Sequence, residues 1–453
     1  MKQLAYPKGV LRFRFEQSRL SSARVLPLVD FVLIVAFALD LFASFFVWKG
    51  YLPEGLTSVS QVLVAGAVVF AYTRMMILNR IPGAVWVLLG VSVLGITVAV
   101  FQGQSLVPTL WGWWNLFKYP MLGIYAYLRL SWPDDSSQFL IKVCLGLVVF
   151  EVIFQMGQFL SGQGIGDNLA GSFGWHGVGH IFFLTALVLS LTLGLWVAEG
   201  RWMPLLLALV LGIVSNVLAE NKIFPMAVLA MAIVAIAISG IRRGELWRKL
   251  LFGVLLVSGV LVFSAGYNAF VPGADRKPIQ SLFLEDDARE GYLNKVRRSS
   301  TTERQAFNLG RNNAVAYALS TLSGDSVTLL FGFGLGARSS SETLGVTGVA
   351  LEQDVFRQGS QLVVILQEMG LFGLLMVAGV TIWVSVKLWR DTRRYPQSQV
   401  QGLRYGLLFF SLLWPVWLWY KNPLGADIAM MIYWISLGYV LSEPHLEYLS
   451  DRP

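Results

Sequence analysis

The sequence is divided into apolar runs, each about as long as a lipid bilayer is thick. An α-helix needs about 20 apolar residues to cross the hydrocarbon core of a membrane. No alternating strand pattern competes with these runs, and no short internal repeat is evident. We therefore predict an all-α polytopic membrane protein with about twelve transmembrane helices. The runs lie near 26–48, 58–78, 82–101, 107–128, 138–160, 178–198, 202–219, 223–240, 250–267, 361–386, 404–420 and 424–441.

Composition excludes a soluble enzyme. Of the 453 residues, 55% are hydrophobic and only 14% are charged, which is more apolar surface than a soluble chain of this size can bury. The first apolar run has full length and no small-residue cleavage site follows it, so we expect no cleavable signal peptide. The single cysteine, Cys144, excludes an internal disulfide and lies in an apolar run, where packing is its expected role.

Lysine and arginine indicate the orientation. Basic residues concentrate in alternate loops and in the segment 1–24, which predicts that these parts are cytoplasmic. The net charge of +8 is thereby explained without nucleic-acid binding. The opposite short loops carry little beyond Lys49, Lys222 and Lys421. The predicted cytoplasmic loops carry Arg80, Arg129, Arg201, Arg242, Arg243, Arg248, Lys249, Arg390, Arg393, Arg394 and Arg404.

One connection differs from the others. Residues 268–360, between the ninth and tenth runs, are too polar to span a membrane and too long for a plain loop. We predict that they form a small extracytoplasmic domain. The organisation is then a cytoplasmic tail at 1–24, nine transmembrane helices in 25–267, this loop domain, three transmembrane helices in 361–442 and a second cytoplasmic tail at 443–453.

The centre of this loop carries the most informative motif. A helical period fits from Glu303 to Leu322 and places Arg304, Asn308 and Arg311 on one face. The stretch "LLFGFGLGARS" follows, with glycine at every second position of 332–336. Such glycines either let backbone N–H groups approach a ligand or let two segments pack closely. Both interpretations fit the sequence.

The motif resembles the shared core of the O-antigen polymerase and O-antigen ligase superfamily. That core has an arginine-bearing amphipathic helix, a turn of alternating glycines, a polar pair and then a span with paired glycines. This chain offers "GRNNAVAYAL", "LLFGFGLGA" and "GSQLVVILQEMGLFG". The match is close over about 310–373, and the multi-span context with a large late loop covers the rest loosely.

The resemblance implies a metal-independent glycosyltransferase with a GT-C-like architecture and no cofactor. Such enzymes transfer a glycan from undecaprenyl diphosphate at the outer face of the bacterial plasma membrane. Polymerases move the growing chain onto the next carrier-linked repeat unit, whereas ligases move it onto lipid A-core. The expected partners are the lipid-linked oligosaccharide, the bilayer, and chain-length regulator and flippase proteins.

This chemistry needs cations to hold the diphosphate and stabilise it as it leaves, and a group that orients or deprotonates the attacking hydroxyl. Arginine suits the first task because its fork matches phosphate oxygens. By position in the motif, Arg311 matches the superfamily's helix arginine, and Lys222 stands where relatives carry an arginine. Among other candidates for catalysis or substrate binding are Glu220, Asp354, Arg338, Arg357, His176, His180 and Lys118.

One departure from the family bears on the choice of reaction. Ligases carry a histidine ahead of the paired glycines, and this chain has Gly359 and Ser360 at that point. The departure favours polymerase over ligase and leaves the base unassigned among several groups on the same predicted side. These groups are Glu220, Glu352, Asp354, His176 and His180.

Structural roles compete with several of these assignments. Lys222 fits a helix-end snorkelling residue equally well, and Arg338 and Arg357 fit loop ion pairs. His176 and His180 are too few for a metal site and fit a hydrogen-bonding lip better. Lys118 falls within an apolar run, where an ionisable group is costly unless it is paired or faces a groove.

Two rival functions remain open at the level of sequence. A secondary transporter usually has two related halves and broken helices near the midplane, and the sequence shows no repeat. A non-catalytic component of a polysaccharide export system is disfavoured by the cations expected on one side. We expect an Arg311→Ala variant to separate these classes, because a scaffold should tolerate it.

Overall fold

The computed structural model describes most of the chain as helices. The described residues are 29–53, 55–78, 83–129, 132, 135–166, 168–174, 177–239, 246–270, 285–286, 293, 296–299, 306–341, 346–348, 350, 360–395, 398 and 400–450. The helices are α1 (Val29–Trp48), α2 (Gly55–Leu78), α3 (Gly83–Phe101), α4 (Leu106–Leu128), α5 (Ser136–Leu160), α6 (Val178–Glu199), α7 (Met203–Leu218), α8 (Phe224–Ser239), α9 (Leu246–Phe270), α10 (Arg311–Leu322), α11 (Ser326–Phe331), α12 (Gln361–Arg394), α13 (Gln401–Leu412), α14 (Trp414–Tyr420) and α15 (Asp427–Ser450).

The protein is a helical membrane protein. Six helices of the described chain are long and apolar enough to cross a bilayer, namely α1, α3, α5, α6, most of α9, and α12. Four further apolar helices are shorter, within α2, α7, α8 and α15. Large apolar side chains such as Phe101 and Leu160 point outward and are exposed, as expected for a surface in contact with lipid tails. Each predicted apolar run contains a helix, while a total of twelve crossings stays a prediction.

Helix α6 forms the centre of the bundle. Its most apolar stretch is 83% buried, against 22–28% for the five other long apolar helices. It packs on α13 through backbone contact, because a Cβ placed on Gly194 would lie 2.1 Å from the carbonyl oxygen of Gly402 and 2.3 Å from the nitrogen of Gly406. Glycines at this crossing allow an approach that any side chain would prevent.

Helices α4 and α15 form a second close pair. A Cβ on Gly438 of α15 would lie 2.1 Å from the carbonyl oxygen of Gly123 in α4. The two helices therefore touch through their backbones. This contact holds the first turn of α15 beside the middle of α4, where charged side chains meet.

Two helices are interrupted. Helix α12 breaks at Gly370, which has φ 61° and ψ −155°, a conformation that favours glycine. Helix α13 ends at Leu412, and Pro415 lies in the first turn of α14, where a missing N–H costs no helical hydrogen bond. After α14 the chain leaves the helix at Lys421 and passes through a short 3₁₀ turn at Pro423–Gly425 before α15 begins.

The described part of the loop domain adds two short strand pairs to the helices and corrects one sequence prediction. A short strand, β1 (Val296–Ser299), pairs antiparallel with β2 (Ala306–Leu309), and a second ladder joins β3 (Ser340–Ser341) to β4 (Val346–Thr347). Outside these short ladders the described chain is helical, as the apolar runs predict. The helix expected from Glu303 begins at Arg311, since Gly310 has an extended backbone and Asn308 belongs to β2. Arg304 lies outside the described residues.

Candidate functional site

A polar cavity of about 610 Å³ lies among α1, α2, α4, α6, α12 and the turn that precedes α15. Many of its lining side chains are polar, which is unusual among the helices of a membrane protein, where ionisable groups are expensive. Six titratable side chains of the described chain line this cavity, namely Asp40, Lys118, His180, Arg338, Glu368 and Asp427. It is the best candidate for a functional site in the described residues.

Lys118 and Asp427 form an ion pair in the cavity lining, in which Lys118 is buried and the Asp427 side chain is 24% exposed. The ammonium Nζ lies 2.9 Å from Oδ1 of Asp427 and donates to Oε1 of Gln61 at 3.0 Å. The Tyr119 hydroxyl donates to the same carboxylate oxygen, and Gln61 Nε2 donates to its Oδ2 at 3.4 Å. A buried pair is tolerated when surrounding groups satisfy it in this way. Asp427 also begins α15, where the helix dipole favours a negative charge.

Arg338 reaches the cavity because the glycine turn packs tightly behind it. Gly332, Gly334 and Gly336 have φ of 74°, 94° and 83°. A Cβ on these residues would lie 2.5, 2.2 and 2.0 Å from backbone atoms of Glu368, Ala99 and Pro108. Of the two interpretations left open by the sequence, the structure shows close packing against α3, α4 and α12 for this turn.

The turn is anchored to the break in α12. The amides of Phe333 and Gly334 donate to the carbonyls of Gln367 and Glu368 at 2.8 and 3.0 Å. The Glu368 side chain also binds the turn, as a hydrogen-bond acceptor. Its Oε1 accepts from the Arg338 amide and the Ser339 hydroxyl, both at 3.1 Å. Arg338 is only 8% exposed, so its guanidinium is held in a protein environment in which electrostatic interactions are strong.

His180 lies in the first turn of α6 and stacks on Phe173, with the ring centroids 5.1 Å apart. Its Nδ1 is buried and has no hydrogen-bond partner among the described residues. Phe173 ends a 3₁₀ turn, Gly171–Phe173, which the polar face of α5 holds in place. Glu151 accepts from the amide of Ser172 at 2.9 Å, and Gln158 exchanges two hydrogen bonds with Gly171.

Arg311 lies outside the cavity lining. It is the first residue of α10, and its Nε donates to the Tyr420 carbonyl at 2.8 Å. Its guanidinium lies over the Tyr420 ring, 3.9 Å from the centroid. Arg311 therefore supports the end of α14 immediately before Lys421 and Asn422, and Asn422 lines the cavity.

Lys222 and Glu220 are also apart from the lining residues. They form an ion pair of 3.3 Å in the turn between α7 and α8. The Tyr267 hydroxyl donates to Glu220 at 3.1 Å. The intervening Asn221 accepts from Lys421 Nζ at 3.3 Å, which links this turn to the non-helical segment beside the cavity. Glu352, Asp354, Arg357, Gly359 and His176 lie outside the described residues.

The structure brings together Lys118, His180 and Arg338 from the residues proposed on sequence grounds. It adds three carboxylates that the sequence reasoning did not select: Asp40, Glu368 and Asp427. Asp40 and Glu368 interrupt the runs "VAFALDLFASFF" and "VVILQEMGLFG". An ionisable residue within an apolar run is a functional signal in itself. The rule that singles out Lys118 therefore also singles out Asp40 and Glu368 from the sequence.

The set of groups is suited to binding an anionic, hydroxyl-bearing molecule. Arg338 and Lys118 supply positive charge, and the carboxylates and His180 supply acceptors for hydroxyl protons. Among the residues that the structure describes, no cluster of three or more His, Cys, Asp or Glu side chains could hold a metal ion.

Comparison of the sequence with protein-family models gives no match, and comparison with curated proteins gives none either.

Proposed function

We propose that the protein is a glycosyltransferase that polymerises a surface polysaccharide from lipid-linked repeat units. The growing glycan is transferred from undecaprenyl diphosphate to a carrier-linked repeat unit, for O-antigen, capsule or exopolysaccharide. The observation that carries the proposal is the cavity, in which Arg338 and Lys118 meet carboxylates inside a bundle of apolar helices. A substrate with a lipid tail, a diphosphate and sugars needs such a combination of surroundings.

The proposed reaction balances without a metal. The acceptor hydroxyl oxygen forms a bond to the anomeric carbon of the donor glycan, and the bond from that carbon to the diphosphate oxygen breaks. Undecaprenyl diphosphate leaves with the electron pair, and Arg338 and Lys118 stabilise the charge that develops on it. The hydroxyl proton passes to a base of the protein.

The finer architecture belongs to the same proposal. Twelve crossings, a GT-C-like arrangement and an active site on the periplasmic side of a bacterial plasma membrane follow from the distribution of Lys and Arg and from the resemblance of 310–373. In this arrangement the loop domain caps the cavity from the outer side. Arg311 contributes by fixing Tyr420.

Two alternatives have specific support. The ligase reaction uses the same donor and would use the same cations, and it is disfavoured by the absence of a histidine at 359–360. A transporter is favoured by the break of α12 at Gly370 and by the non-helical segment 421–426, since broken helices that line a cavity are typical of transporters. The charged groups around Lys118 would serve a ligase or a transporter equally well.

The deciding experiment is the length distribution of surface polysaccharide in a deletion strain, measured on a gel. A polymerase deletion is expected to leave single repeat units, and wild-type complementation to restore the ladder. Arg338→Ala should fail to restore it at normal protein levels, while Arg201→Ala, on a half-exposed ion pair with Glu199, should succeed. Long chains that persist without attachment to the lipid core would identify a ligase, and an unchanged polysaccharide would remove the proposal.

A further inference from the structure

Three carboxylates line the cavity, and two of them are already fully engaged. Glu368 holds the glycine turn, with the Arg338 amide and the Ser339 hydroxyl on one oxygen and the Gly336 amide as a further donor to its side chain. Asp427 accepts from Lys118 and Tyr119 on Oδ1 and from Gln61 on Oδ2. A carboxylate whose oxygens already accept from several protein donors has less capacity left to accept from a substrate hydroxyl.

Asp40 is different. It lies in the second half of α1, within an otherwise apolar run. Its Oδ1 accepts a hydrogen bond from the hydroxyl of Ser60 in α2. Its Oδ2 is buried and has no hydrogen-bond partner among the described residues. A buried carboxylate oxygen without a donor is costly, and such an oxygen beside a polar cavity indicates that a ligand or a proton completes it.

The surroundings of Asp40 fit a proton acceptor. Asp427 on α15 and Lys118 on α4 are close enough to act on its charge, and His180 on α6 lines the same cavity. Lys118 already pairs with Asp427 at 2.9 Å, so Asp40 has no exclusive cationic partner among the described residues. Ser60 donates to one oxygen of Asp40, and the second oxygen has no protein donor among the described residues.

We infer that Asp40 is the catalytic base of the transfer reaction and that it selects an acceptor sugar hydroxyl. This inference rests on the proposed function. The acceptor O–H donates to Oδ2 of Asp40, its oxygen attacks the anomeric carbon, and its proton ends on Oδ2. The bond from the anomeric carbon to the diphosphate breaks, and the electron pair leaves with undecaprenyl diphosphate beside Arg338 and Lys118. The cations, on α4 and the glycine turn, and the base, on α1, then line one cavity.

The test uses the purified full-length protein with a lipid-linked repeat unit in detergent or nanodiscs. Formation of the first two-repeat product is measured under single-turnover conditions across pH for wild type, Asp40→Asn, Asp40→Glu and Asp30→Asn, and polymer formation is measured over many turnovers. Donor affinity is measured with undecaprenyl diphosphate. Asp30 lies on the same helix and pairs with Arg129 at 2.8 Å, away from the cavity lining, so Asp30→Asn controls for loss of a carboxylate from α1.

We expect Asp40→Asn to lose about 100-fold or more in rate, the contribution typical of a general base, and to bind undecaprenyl diphosphate as wild type does. The decline of the wild-type rate at low pH should disappear from its residual activity. Asp40→Glu should keep measurable activity with that decline, and Asp30→Asn should match wild type.

The outcomes separate the inference from the function. If wild type forms polymer and Asp40→Asn forms it at a similar rate, Asp40 is not the base while the polymerase function stands. If wild type forms no polymer, the proposed function fails first. If Asp40→Asn folds poorly and loses donor binding, the Asp40→Glu variant decides whether Asp40 is the base. Retained activity with the low-pH decline supports the inference, and a folded, donor-binding but inactive Glu variant overturns it.

Discussion

The guanidinium of Arg311 lies 3.9 Å from the centre of the Tyr420 ring, and its Nε donates to the carbonyl of the same residue at 2.8 Å. One side chain thus binds both the ring and the backbone of a helix end more than a hundred positions away in sequence. The residue singled out by the motif acts on the cavity through the segment that follows Tyr420.

Arg311 is therefore expected to be sensitive even to a change that keeps its charge. Arg311→Lys retains the charge and loses the planar group that stacks and donates at once. Loss of a cation–π contact of about 1–2 kcal/mol and a charged hydrogen bond of about 1.5–3 kcal/mol should lower the thermal stability of Arg311→Ala in detergent. Polymer length should fall in both variants. An Arg311→Ala protein with wild-type melting temperature and full-length polymer would contradict this role.

The Lys118–Asp427 pair predicts strong non-additivity. Lys118→Met leaves the partly buried Asp427 without its cation, and Asp427→Asn leaves the buried ammonium without its counter-charge. Each single change should destabilise the protein, by less than the about 3–5 kcal/mol of a fully buried pair because the Asp427 side chain is 24% exposed. The double variant should cost less than the sum, because no uncompensated charge is left.

This cycle is measured by unfolding in detergent with a denaturant series. The matched comparison is Lys387 with Asp391, an i, i+4 pair of 3.0 Å whose lysine is partly exposed. Its coupling should be about 0.3–0.5 kcal/mol. Additive effects at Lys118 and Asp427 would show that the pair is not energetically coupled.

The glycine turn predicts a sharp contrast between two alanine substitutions. Gly336→Ala places a methyl group 2.0 Å from the Pro108 carbonyl oxygen at a φ of 83°, so both the backbone and the packing must change. A left-handed non-glycine residue costs about 1–3 kcal/mol, and overpacking adds a similar amount. Gly324→Ala, in the same loop domain, meets nothing within 4 Å.

We expect Gly336→Ala to reduce the amount of folded protein severalfold in fluorescence-detected size-exclusion chromatography, and Gly324→Ala to have no effect. Equal yields of the two variants would mean that the turn is not packed against α4 as described.

The polar face of α5 predicts a long-range effect on His180. Glu151 and Gln158 hold the turn on which Phe173 stands, and Phe173 stacks on the His180 ring. Glu151→Ala leaves the amide of Ser172 buried without its acceptor, at a cost of about 1–3 kcal/mol. The Glu151→Ala variant should therefore have a lower thermal stability. Its His180 should react faster with diethyl pyrocarbonate, as measured by mass spectrometry.

Glu199→Ala serves as the control for that experiment, because Glu199 pairs with Arg201 on a partly exposed surface. No change in His180 modification in the Glu151→Ala protein would argue that the ring is held by α6 alone.

The sequence predicted the helical elements well because apolar length is a local property. A run such as 178–198 becomes a helix of nearly the same bounds, Val178–Glu199, since a bilayer admits few other structures. The break at Gly370 was not predicted, because its conformation depends on the glycine turn that docks there from a distant part of the chain.

The candidate site was predicted less completely than the helices. Lys118 was recognised as an exception within an apolar run, whereas Asp427 follows a loop and looks like an ordinary helix start until α4 and α15 are brought together. The roles of Lys222 and Arg311 could not be read from charge alone. Their contacts, Glu220 and Tyr420, are set by tertiary packing rather than by spacing in the motif.

The burial of α6 has a consequence for the assembly of the protein. A segment as apolar as Val178–Glu199 is stable among lipid tails by itself, yet most of its apolar stretch ends without lipid contact. Its neighbours must therefore displace lipid from it, and the association has to come from close fit and interhelical polar contacts rather than from hydrophobicity. The glycine contact at Gly194 therefore requires that no lipid tail remains between α6 and α13 in the assembled bundle.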